Sequence, residues 1–157
     1  MVDPETVTLL QGGSALIVGA VAVDGAPYAA RGWGLDVVGE APCRVRLLVD
    51  AADDRLVELL GRGRPVAVTA ADVVSLRSVQ LKGTSQGVEP SDDPADRDRL
   101  GRYVDAFYAD IEATDGTSRA VLDRLTPDDV LAVGIEVADV FDQTPGPGAG
   151  RAVGSTP

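Results

Sequence analysis

The sequence predicts an α+β domain that is mainly β: six antiparallel strands forming a small barrel, with peripheral helices. Three observations predict it. Short β-branched and small apolar runs recur between Gly, Pro and Asp punctuation from Ser14 to Glu89. Asp24-Gly25 joins the first two runs too tightly for a crossover, so they pair antiparallel. Helical patterns are too few to alternate with the strands, as a βαβ sheet would require.

The elements follow in order. Asp3-Pro4-Glu5 reads as a helix start, with an Asp cap, Pro at the first position and an acid behind it. Gly12-Gly13 ends that helix. Ser14–Val23 is the first strand, and the chain returns through Pro27–Val38. Gly39–Pro42 turns into Cys43–Asp50. There Cys43, Val45, Leu47 and Val49 share one face, opposite Arg44, Arg46 and Leu48. Asp50–Leu60 reads as a helix with acids in its first turn, stopped by Gly61 and Gly63. Pro65–Ala70 is a fourth strand. Val73–Val88 is a fifth, bent near Gly83.

The pattern changes at Pro90. Ser91–Arg102 is densely charged. Leu100, Tyr103, Val104, Phe107, Tyr108 and Ile111 then recur at helical spacing, which predicts an amphipathic helix of about four turns lying on the sheet. Thr117–Leu125 is a short second helix and Val130–Phe141 the last strand. One domain is expected over residues 1–143, with a barrel core at 14–89, a helical segment at 92–125 and a final strand at 130–141. The Gly- and Pro-rich tail, 144–157, is expected to be partly disordered.

Composition narrows the function. The 157 residues carry a net charge of −11. Residues 14–89 hold eight basic against nine acidic groups, so the acidity belongs to the flanks. No net basic footprint argues against nucleic acid as a partner, while leaving room for a small anion held by a few arginines. The absence of histidine removes the commonest general base and the usual triads. With a single cysteine, Cys43, a zinc site is not expected. Chemistry is therefore expected from an organic cofactor. The acidic start and the nine-residue apolar run Ala15–Val23, against the roughly 20 residues of a membrane helix, lead to the expectation of a cytoplasmic protein with no membrane partner.

Two strands hold the candidate site. In Leu76–Gly83, period two places Ser78, Gln80 and Lys82 on one face, a row of donors suited to a polar ring edge or a phosphate. Lys82 is the only lysine. Spacing alone favours the solvated outer face of an edge strand over a site. In Ala29–Asp36, Arg31, Trp33 and Leu35 share a face, and glycines flank the indole. An arginine beside an indole suits a phosphate next to an aromatic system; a core tryptophan with a rim arginine fits the same pattern. Arg55 lies near a helix N-terminus, which attracts anions, although Asp53 and Asp54 suit that end as caps.

The order of elements resembles the split-barrel flavin proteins related to pyridoxamine 5′-phosphate oxidase, over about Ser14–Glu89. The residues that carry the resemblance are Val23-Asp24-Gly25-Ala26-Pro27, Ala30-Arg31, Asp50–Gly61 and Arg77-Ser78-Val79-Gln80-Leu81-Lys82-Gly83. The resemblance implies a homodimer with FMN in grooves at the subunit interface, and a flavin-dependent oxidoreductase whose substrate is an unidentified small molecule. It places Arg31 on the phosphate-binding arginine and Arg55 at or beside the basic residue opening the helix. Ser78 falls where a glutamine often touches the flavin, and Val49 and Asp50 at the strand end along the cofactor. Asp36 stands where the family often has a lysine, and Ala51-Ala52-Asp53-Asp54 replaces a hydroxyl-rich turn. The oxidases' C-terminal substrate-binding segment has no counterpart. Two alternatives follow from these departures: a cofactor-free dimeric module binding a small anion, and a deazaflavin-dependent reductase.

Overall fold

The computed structural model describes residues 2–155. Asp3 caps the first helix, α1 (Pro4–Gln11), by accepting from the Thr6 amide at 2.9 Å. Strands β1 (Ala15–Val21) and β2 (Pro27–Glu40) form the expected hairpin. Its turn is held by Asp24 Oδ1, which accepts from the Ala26 amide at 3.0 Å. β3 (Cys43–Asp50) follows, then α2 (Asp54–Leu59), β4 (Pro65–Ala71) and β5 (Ser78–Pro90). α3 (Pro94–Asp115), α4 (Arg119–Leu122) with one 3-10 turn, β6 (Val130–Asp142) and β7 (Ala152–Ser155) complete the chain.

The strands run in the order β3-β2-β1-β4-β5-β6, and β6 pairs back to β3. The result is a closed six-stranded antiparallel barrel, with β7 added to the far end of β6. Closure removes the sheet edges that would otherwise template aggregation. Residues paired across strands share a face, so the register separates inside from outside. Val18 faces Val68, which faces Leu81, and all three are buried. Leu47, between Leu35 and Val133, continues the same interior.

α3 packs on the outside of the barrel against β2. Tyr103, Val104, Phe107 and Tyr108 are its buried face, as the helical spacing predicts. The helix has 22 residues, about six turns rather than four, because the charged stretch from Pro94 to Arg102 is part of it. Asp93 caps it and Pro94 occupies its first turn, the same signature as at Asp3-Pro4. Two acids and two arginines explain how so charged a segment lies on a sheet. Asp96, 1% exposed, pairs with Arg46 of β3 and with Arg99; Arg99 also pairs with Asp36 of β2.

Three boundaries differ from expectation. β5 begins at Ser78, not Val73, so Leu76 and Arg77 lie outside the strand. Asp72 accepts from the amides of Val74 and Ser75, and Leu76 has φ 62°, which breaks the extended path. α2 begins at Asp54 because Asp53 is its cap. In the tail, Ala152–Ser155 pairs with β6, while its last two residues lie outside those described. The bend expected at Gly83 is a register shift between Lys82 and Gly83.

Candidate functional site

Cross-strand register brings three of the expected residues onto one outer face. Arg31 of β2 pairs with Ile17, Ile17 with Thr69, and Thr69 with Gln80 of β5. Across the three strand spacings this row covers roughly 14 Å. The next row runs Ala29–Gly19–Ala67–Lys82. Its glycine and alanines make a low floor, and a shallow cavity of about 570 Å³ opens over it beside Val21, Pro27, Pro65 and Lys82. Ile17 and Val21 are 43% and 41% exposed, so this face is apolar and uncovered.

Arg31 is half-buried at one end of the row. Its guanidinium lies 4.8 Å from the centre of the Phe107 ring and 5.8 Å from that of Trp33. The aromatic groups orient it through cation–π contact. Its Nε is buried against these rings and has no hydrogen-bond partner. Tyr103 adjoins it: burial raises the pKa of the phenol, and the charge of Arg31 opposes that shift. At the other end, Gln80 donates from Nε2 to the Thr69 hydroxyl at 3.0 Å. The Lys82 ammonium sits 4.7 Å from the Phe141 ring centre and is otherwise exposed. Phe107, Thr69 and Phe141 are the residues that sequence reasoning missed here. No turn signal pointed to Thr69, since the Asp24-Gly25 hairpin sets β1 against β2 and leaves the pairing of β1 with β4 open.

The other expected residues stand elsewhere. Trp33 is 4% exposed and meets Tyr103 edge-on at 6.5 Å between ring centres. This corrects the expectation that the indole faces a ligand ring: it is a core group that braces Arg31. Val49 is fully buried inside the barrel between Gly32 and Leu131, so it offers a ligand no side chain. Asp50 accepts from the Ala52 amide at 2.8 Å and shapes the turn into α2. Ser78 is 8% exposed; its hydroxyl donates to the Leu76 carbonyl at 3.1 Å and is spent on the loop. Arg55 is half-exposed and paired with Glu58 at 3.1 Å, beside a separate cavity at the barrel end.

Both sequence departures have structural partners. The charge of Asp36 is engaged by Arg99 under α3, so it is not an uncompensated anion beside Arg31. Asp53 caps α2 through the Leu56 amide at 2.9 Å and accepts from the Tyr28 hydroxyl at 3.0 Å. That hydrogen bond raises the Tyr28 pKa. The N-terminus of α2 thus already holds its own carboxylate. Of the residues the resemblance implies for the phosphate, Arg31 is half-buried at the end of the outer row and has no carboxylate partner among the described residues.

The barrel order, with its outside helix, defines a split β-barrel. No described sequence family and no curated protein matches the chain. Solved structures do match. Group A Streptococcus HupZ superposes with a TM-score of 0.57 at 14% identity, covering 96% of this chain and 100% of HupZ. A Lactobacillus delbrueckii protein assigned as a pyridoxamine 5′-phosphate oxidase gives 0.54 at 21% identity, covering 89% and 93%. Rv2991 of Mycobacterium tuberculosis gives 0.51 at 17% identity, covering 90% and 84%. The chain has the split-barrel fold of the pyridoxamine 5′-phosphate oxidase-like proteins. Among the described residues, no helix is long and apolar enough to cross a membrane, and no cluster of ligating side chains could hold a metal.

Proposed function

We propose that this chain is a diverged member of the pyridoxamine 5′-phosphate oxidase-like group, acting as a homodimer that holds a flavin-type cofactor on its open face. The observation that carries this reading is the row from Arg31 to Gln80. A guanidinium stands at one end, an amide at the other, and an apolar floor lies beside the strands between them. Arg31 would take the phosphate. Gln80 and Lys82 would offer donors to the polar edge of the ring. When bound, the flavin would supply hydride chemistry. Floor residues Gly19, Ala29 and Ala67 let a flat ring approach the backbone. A second copy covering the exposed Ile17 and Val21 would exclude water from it.

FMN is the first cofactor to test and a deazaflavin the second. The absorption spectrum of the purified protein, before and after incubation with each cofactor and desalting, separates them. A retained visible band with FMN supports the reading. If neither cofactor is retained or perturbed, the flavin assignment fails.

The closed N-terminus of α2 favours a second reading, a cofactor-free dimeric module that binds a small anion at Arg31. Binding of inorganic phosphate that is lost in Arg31→Ala, with no flavin bound, would select it.

A further inference from the structure

A second cavity, about 500 Å³, lies on the β3–β6–β5 side of the barrel and shares no lining residue with the floor cavity. Arg44, Arg46, Arg62 and Gln86 line it, with Glu89 as its one acid. In a chain of net charge −11, this cavity gathers three arginines in its lining.

The loop that carries Arg62 is held by one buried serine. Ser85 is fully buried; its hydroxyl donates to the Leu60 carbonyl at 2.6 Å and accepts from the Gly87 amide at 3.1 Å. Its backbone accepts from Gly63 at 2.8 Å and donates to the Arg64 carbonyl at 2.9 Å. Gly87, with φ 110° at a bulge in β5, lies alongside the Arg62 stem: a Cβ there would stand 3.7 Å from that of Arg62. Arg62 therefore projects from a fixed backbone, which limits the ordering cost of binding.

The three arginines differ in what they already hold. Arg46 is committed to Asp96 and Glu89, which neutralise its charge and hold it as a fixed edge of the cavity. Arg44 meets Glu136 at 3.8 Å, both half-exposed, a weak pair that exchanges readily. Arg62 is exposed and has no ion pair among the described residues. Two guanidinium forks lining one cavity suit an anion with several oxygens and more than one charge.

We propose that this cavity binds a compact oligophosphate, with Arg62 as its principal contact and Arg44 turning from Glu136 to join it. The site stands apart from the flavin reading, because none of its residues belongs to that face.

The test is calorimetric titration of the full chain with pyrophosphate and with tripolyphosphate, using sulfate at matched ionic strength as control. Saturable binding is expected for the two phosphates, weakened about tenfold or more in Arg62→Ala and partly kept in Arg62→Lys. The Arg62-dependent part of the binding should persist in Arg31→Ala, which removes any anion binding at the other face. Circular dichroism confirms the fold of each variant, and Arg62→Lys keeps the test informative if Arg62→Ala is damaged. Heats that sulfate reproduces, or undiminished binding in a folded Arg62→Ala, would overturn the proposal.

Discussion

Asp36 of β2 is ion-paired with Arg99 of α3. The pair is one link in a chain running Glu89–Arg46–Asp96–Arg99–Asp36, which ties α3 to β2, β3 and the end of β5. An aspartate five residues after Arg31, where the family resemblance implies a lysine, looks disqualifying in sequence. In the fold its charge is answered by a helix outside the stretch that carries the family resemblance.

Breaking this chain should cost stability. Arg99→Ala leaves Asp96 and Asp36 each short of a partner. Removing one member of a buried ionic group costs roughly 3–5 kcal/mol. Urea unfolding followed by circular dichroism should show that loss, and an unchanged midpoint would show that α3 is held by its aromatic face alone.

The same group sets an acid limit. The hydrogen bond from Arg46, with that from Arg99, holds the Asp96 carboxyl below its ordinary value against the opposing effect of burial. A depressed folded-state pKa contributes stability that is fully present above the unfolded value, about 4, and is lost as pH falls through the folded one. Stability measured from pH 6 downward should therefore fall below about pH 4. Asp96→Asn should be less stable at neutral pH and show a shallower fall.

Gly83 is required by close approach. A methyl group there would meet the Glu136 carbonyl oxygen at 2.1 Å, and both groups are backbone-bound. Gly83→Ala must push β5 from β6, with an expected loss of at least about 3 kcal/mol. Unfolding within a few tenths of a kcal/mol of wild type would show that the bulge relaxes freely.

The open face makes a prediction about assembly. Light scattering at micromolar concentration should give the dimer mass. Ala67→Arg, which places a charge in the middle of the floor, should give the monomer mass with its circular dichroism unchanged. A monomeric wild type would remove the dimer from the account.

Much of the barrel was legible because turn chemistry fixes register locally. Asp24-Gly25 set the first hairpin, and alternation through Cys43–Val49 marked the interior. Val73–Arg77 misled because its apolar residues fit a strand, whereas the Asp72 turn and the left-handed Leu76 decide otherwise. The buried charges of α3 were not legible: Asp96 and Arg99 look like solvated residues until Arg46 and Asp36 are brought beside them. Arg31, Gln80 and Lys82 were found as donors, but their shared face depends on β1 and β4 lying between their strands. Trp33 looked like a ligand platform because its glycine neighbours suggest close approach. What approaches Gly34 is α3, with Arg99 Cγ at 3.1 Å from a would-be Cβ.

The central claim, that Arg31 anchors a flavin-type cofactor on the open face, is tested most directly by fluorescence titration of FMN with wild type and Arg31→Ala, repeated with a deazaflavin. Saturable quenching by wild type, weakened about tenfold or more in Arg31→Ala, is the predicted result for the cofactor that belongs to the site. Equal quenching by wild type and Arg31→Ala, or none by either with both cofactors, would contradict it.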